Sequence, residues 1–153
     1  MLSRQILLLL AFLLMGSPAM AVEGLITVPS RFGVQETMDN LEAALKANGA
    51  TIFARVDHAA GGAGVGLALR PTQVLIFGNP KAGTPLMQAQ QTIGIDLPLK
   101  ALAYEDQAGH VWLAYNDPQW TAARHGLKPE TGKLTAAIAA ALKAATEKAA
   151  GAP

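Results

Sequence analysis

The sequence predicts an α+β domain with a largely antiparallel β-sheet and helices packed on one face, in the order β-α-β-β-β-β-α. Three observations lead there. Strand-like runs follow one another without a helix between each pair, which favours an antiparallel sheet over a doubly wound parallel one. Residues 99–115 contain two such runs separated by a turn ending in glycine, the pattern of a hairpin. Residues 34–45 place Val34, Met38, Leu41 and Leu45 at spacings of four, three and four, one face of a helix.

In chain order, residues 1–21 come first and stand apart from the domain. Arg4 precedes the apolar run 6–15, Gly16-Ser17-Pro18 breaks it, and Ala19-Met20-Ala21 offers small residues for cleavage. This is a secretory signal peptide, too short for the roughly 20 apolar residues of a membrane span. The expected mature protein is periplasmic or secreted, with no stable membrane anchor. Residues 24–28 (GLITV) form a β-branched first strand ended by Pro29. The amphipathic helix follows, with Glu36 in its first turn and Asn48-Gly49 as its stop.

Residues 51–58 (TIFARVDH) alternate, with Ile52, Ala54, Val56 and His58 on one side and Thr51, Phe53, Arg55 and Asp57 on the other. Residues 59–66 (AAGGAGVG) allow one weak helical turn. Residues 73–77 (QVLIF) do not alternate and belong in the middle of the sheet, buried on both faces. A loop of glycine and proline, 78–85, is expected next, then a short helix over 85–91. Residues 93–97 end at Pro98 and are extended at most. After the hairpin, Asp117-Pro118 starts a short helix that stops near His125-Gly126. The alanine-rich stretch 129–153 carries Leu134, Ile138 and Leu142 at four-residue spacing, a helix packed on the domain 22–128 with a frayed end.

Charge and composition exclude several functions. Without the leader, eleven basic and eleven acidic residues remain and no basic face stands out, so a nucleic-acid partner is not expected. The absence of cysteine removes disulfides, thiolate metal sites and lipid attachment at the leader's end. The glycines at 61, 62, 64 and 66, and the loop with Lys81, match neither GxxxxGK[ST] nor GxGxxG. Ser30 is the lone serine beyond the leader, which disfavours a serine nucleophile, and Thr84 is a weak substitute.

His58, His110 and His125 lie at element ends. His58 and His125 could meet as ligands or a proton-transfer pair, with Met87 as a soft third donor. No HxH or HExxH spacing supports that, and histidines held by backbone or water are the commoner case. Asp96 sits in the apolar segment IDLPL, where a carboxylate needs a partner such as loop backbone, Arg55 or Arg70.

The segments FARVDHAA (53–60), LRPTQVLIFGNPKAGTPLMQ (69–88), IDLPLKALAYED (95–106), VWLAYNDP (111–118) and ARHGL (123–127) resemble the bacterial and archaeal family called domain of unknown function 302, or TT1751-like. The resemblance implies a curved antiparallel sheet with packed helices, members that are often dimeric, and no established reaction. Positions matching recurrent polar residues of the family include Asp57, His58, Arg70, Asn79, Lys81, Thr84, Asp96, Tyr115, Asn116 and His125. The expected function is that of an exported, homodimeric binding or accessory module for a small polar or metal ligand. Its pocket is expected beside residues 78–85, lined by His58, Asn79, Lys81, Thr84 and His125. No cofactor is singled out. The alternatives are a hydrolase- or isomerase-type enzyme using His58 with Asp57 or Asp96, and a dimeric interaction module without a ligand.

Overall fold

The computed structural model describes residues 22–152, so the leader expected at 1–21 lies outside the described residues. Five strands form one open, curved antiparallel sheet: β1 (Leu25–Ser30), β2 (Thr51–Asp57), β3 (Thr72–Gly78), β4 (Leu99–Glu105) and β5 (Val111–Asn116). Their order is β1-β5-β4-β3-β2. The hairpin β4–β5 closes at Gly109, whose φ of +84° suits glycine. Asp106 shapes that turn by accepting from the backbone N–H groups of Ala108 and His110 and from the Trp112 indole.

Register assigns the faces. Leu75, Ala101 and Tyr115 line up across β3, β4 and β5, as do Gln73, Ala103 and Leu113. Against this face pack α1 (Val34–Ala47) and α5 (Gly132–Ala150), which bury Met38, Leu41, Leu45, Leu142, Ala145 and Ala149. Ala101 and Ala103 are almost wholly buried, and their small side chains let the helices come close to the middle of the sheet. The expected one-sided α+β arrangement is therefore observed. On the other face Val56, Val74, Leu102, Ala114 and Thr27 form a row across all five strands. A shallow depression there is lined by Leu25, Leu69, Arg70, Leu102 and Tyr104.

Several elements differ from their sequence expectation. The register of β2 slips between Ile52 and Ala54, so Phe53 is the extra residue of a β-bulge. The bulge reverses the alternation midway: Ile52 and Arg55 share the helix-covered face, opposite Phe77 and Leu75. The continuous run in β3 does alternate, with Gln73, Leu75 and Phe77 buried and Val74 and Ile76 half-buried. It is central in the sheet but not equally buried on both faces, because the second face has no helical cover.

The weak helical turn expected at 59–66 is α2 (His58–Gly64), capped by Asp57, which accepts from the N–H of Ala60. The loop expected at 78–85 is mostly helix: α3 runs Pro80–Ala89. Asn79 caps it by accepting from the Lys81 N–H, and Pro80 takes a first-turn position where no N–H is needed. Pro85 lies inside this helix, so glycine and proline here mark a helix start and not a loop. Of residues 93–97, expected to be extended at most, the first three belong to a 3-10 segment, Gln91–Ile95, and the Leu97–Pro98 peptide is cis. α4 (Pro118–Arg124) begins at its predicted Asp117 cap. The last helix is integral to the core, and in place of a frayed end Gly151 closes it with a φ of +67°.

Candidate functional site

An apolar groove of about 480 Å³ opens at the end of the sheet where β3 stops and β4 begins. Its origin lies in the lengths and relative placement of two helices. α1 and α5 run antiparallel: Arg31 N–H, just before α1, and Asn40 Nδ2, midway along it, donate to Ala150 O and Ala149 O at the end of α5, while Leu45 and Asn48 at the end of α1 share the groove with Leu134. With 14 and 19 residues they span about 21 and 28 Å. The N-terminal half of α5 therefore overhangs the end of α1. Leu134, Ile138 and Ala141 of that overhang form one wall, facing Leu86 and Met87 of α3, Ile93, and Leu97. Phe77, Leu99 and Leu45 form the floor.

Phe53 also lines the groove and is 55% exposed. An aromatic ring that open is costly unless something covers it, and it is aimed there by the bulge in β2. Bulges are over-represented beside binding and active sites because they re-aim a side chain. The groove's polar groups are few: Asn48, Asn79, Thr84 and Thr121. Its volume falls within the range of small-molecule pockets, which are mostly apolar with a small number of polar groups.

A second cluster lies beside one wall of the groove. Asp96 follows the 3-10 segment and holds the end of α4: Arg124 donates to both its oxygens at 3.1 and 3.2 Å. His125 Nε2 lies 2.6 Å from Asp96 Oδ2, and His125 Nδ1 lies 3.1 Å from Thr92 Oγ1. The partners of Asp96 are thus Arg124 and His125, not Arg55 or Arg70. Arg55 instead pairs with Asp39 and donates to Gln73, while Arg70 donates to the carbonyl of Glu105. The Arg55 hydrogen bond holds the Asp39 carboxyl below its ordinary range. At the hairpin, the Trp112 indole and then the backbone N–H groups lower Asp106 to about 2.

The five residues expected at one site do not converge on one point. Asn79 and Thr84 line the groove, and Lys81 is exposed in the first turn of α3 beside them. His125 belongs to the Asp96 cluster. His58 is exposed at the opposite end of the β2–β3 ladder, because Thr51 pairs with Gly78 whereas Asp57 pairs with Gln73. Six residues of strand separate those ends by about 20 Å. Met87 faces the groove with Ile93 and Leu97. His110 is at the surface, beside Asp106. Sequence pattern alone does not mark the groove-lining Phe53, Ile93, Leu134 and Ile138 as site residues. Only the bulge, which needs the pairing of β2 with β3, reveals Phe53.

Fold and groove define the class: a single α+β domain with an open antiparallel sheet and an apolar groove at one end of it. The chain belongs to the family described as Domain of unknown function DUF302, whose model matches residues 26–145. An uncharacterized conserved DUF302 protein from Bacillus stearothermophilus has a similar crystal structure. The TM-score is 0.75 at 22% identity, covering 84% of this chain and 99% of that one, a likeness of fold. Curated relatives include proteins named fluoride-specific ion channel FluC 1, from Brucella suis and Brucella abortus. Each is 55% identical over 104 residues, which is 68% of this chain but 41% and 38% of theirs. The chain therefore spans about two fifths of the curated relatives it matches. Among the described residues, no helix is long and apolar enough to cross a membrane.

Proposed function

We propose that this protein is an exported accessory module that holds a small, largely apolar ligand in the groove between α5 and α3. The observation that carries the proposal is the carbon-lined groove with the half-exposed Phe53 ring turned to it. The lining shifts the ligand from the polar or metal class toward the apolar one. A metal lacks equivalent support, as no three His, Asp or Glu side chains gather among the described residues. Titration with the fluorophore N-phenyl-1-naphthylamine tests the reading. Saturable binding is expected, and Ala141→Trp, which fills the groove from an exposed position, abolishes it. Absence of saturable binding to folded protein refutes it.

Export rests on the leader motif and is tested by fractionation and by the N-terminal sequence of the mature protein. The row of Val56, Val74 and Leu102, exposed or half-exposed on the sheet face without helical cover, supports a homodimer through that face. Light scattering that gives a monomer at micromolar concentration removes it. The curated relatives favour a second reading, in which the module serves a membrane transport function. Fluoride sensitivity unchanged by deletion of the gene counts against that. The acid–base enzyme expected from His58 with Asp57 or Asp96 loses both partners, since Asp57 caps α2 and Asp96 is held by Arg124 and His125. An enzyme would rest on the His125–Asp96 pair in its place, which a hydrolase screen with His125→Ala as control tests.

A further inference from the structure

Building on the groove as the binding site, we infer that its occupant is a single alkyl chain bearing an anionic head, with the head at Lys81. Three of the four polar groups of the lining are gathered, Thr121 on α4 being bonded to the Asp117 carbonyl. Asn48 closes α1 and Asn79 opens α3. The two helix ends adjoin, since Asn79 Nδ2 reaches the Gly49 carbonyl at 3.5 Å. Thr84 lies on α3 three residues after Lys81, a spacing that puts both on one helical face about 5–6 Å apart. Thr84 lines the groove, so Lys81 stands at its rim.

Charge complementarity then selects the head. Among the described residues Lys81 enters no ion pair, unlike Lys46 or Lys143, which pair along their own helices. Three carboxylates close in sequence to groove residues are engaged elsewhere. Glu42 pairs with Lys46, Asp96 with Arg124 and His125, and Asp117 caps α4. No acidic side chain lines the groove, so a cationic head has no counter-ion there and an anionic one does. The remaining lining, from Phe53 and Met87 to Ile138, is hydrocarbon and suits an alkyl tail.

Displacement of N-phenyl-1-naphthylamine by ten-carbon ligands tests this: decanoate, decyl phosphate, decanol and decyltrimethylammonium, all below micelle formation. The two anions are expected to compete best, and their order distinguishes a carboxylate from a phosphate source. Shortening decanoate by one methylene weakens binding by up to about fourfold. Lys81→Gln, at an exposed position, weakens the anions by about two- to fivefold and leaves decanol unchanged. Equal competition by decanol and decanoate, or a Lys81→Gln variant with unaltered decanoate affinity, overturns the anionic head while leaving the groove intact. Failure of the fluorophore itself to bind overturns the groove reading.

Discussion

Phe53→Ala separates a ligand contact from a core residue. The ring is 55% exposed, whereas Met38 in α1 is 0% exposed. A phenylalanine side chain carries roughly 200 Å² of surface, so about 110 Å² of it is open to be covered by a ligand. At about 25 cal/mol per Å² the upper bound is about 2.7 kcal/mol of binding. Alanine keeps some contact and the ligand can settle into the vacated space, so a loss of about 1–2 kcal/mol, or 5- to 30-fold in Kd, is expected. The same substitution should lower folding stability by under about 1.5 kcal/mol, while Met38→Ala should cost about 2–5 kcal/mol. Fluorophore titration and urea denaturation of both variants give the two axes. If Phe53→Ala destabilises the fold as much as Met38→Ala and leaves the affinity untouched, the ring is a packing residue and the argument from the bulge fails.

Other outcomes follow from the hydrogen-bond geometry. Asp96→Asn weakens the link between the 3-10 segment and α4 at a partly buried site, costing about 1–3 kcal/mol. At about 4 °C per kcal/mol, that lowers Tm by some 4–12 °C, readable by calorimetry. The Asp106 carboxyl lies at about 2 when folded, below its ordinary 3.8, so its contribution is complete above about pH 4 and is lost as pH falls toward 2. Because the Trp112 indole is the leading cause, Trp112→Phe should raise the Asp106 pKa in a carboxyl NMR titration. An unmoved titration would show that the backbone N–H groups suffice. Gly24→Ala sets a Cβ 2.3 Å from the Trp120 ring at a φ of +75°, and should cost about 1–3 kcal/mol. Wild-type urea stability for that variant would contradict the close approach.

Elements were legible where a local rule governs them. The spacing of Val34, Met38, Leu41 and Leu45 is the face α1 buries, and the glycine of the 99–115 hairpin sits at the left-handed position. Misreadings arose where one residue outweighs its neighbours. Asn79 capping turns a glycine- and proline-rich stretch into the start of a helix, and one bulged residue reverses the alternation of β2. The site was half legible. Asn79 and Thr84 stand at the groove and Lys81 beside it, because family motifs mark that helix start. The apolar lining was not, because Leu134 and Ile138 carry the same spacing as core residues and only their place on the overhang leaves them half-buried.

What the sequence determined by itself was the family, the one-sided α+β arrangement and most element positions, since periodicity, caps and turns act within a few residues. Tertiary structure decided where chemistry could occur. It placed His58 at one end of the β2–β3 ladder and Asn79 at the other, and joined His125 to Asp96 across 29 residues of chain. It also set the end of α5 against the first half of α1, so that the N-terminal half of α5 extends past α1 and walls the groove. Such features depend on which strands pair and how far helices extend past one another, distances that no local pattern of residues records.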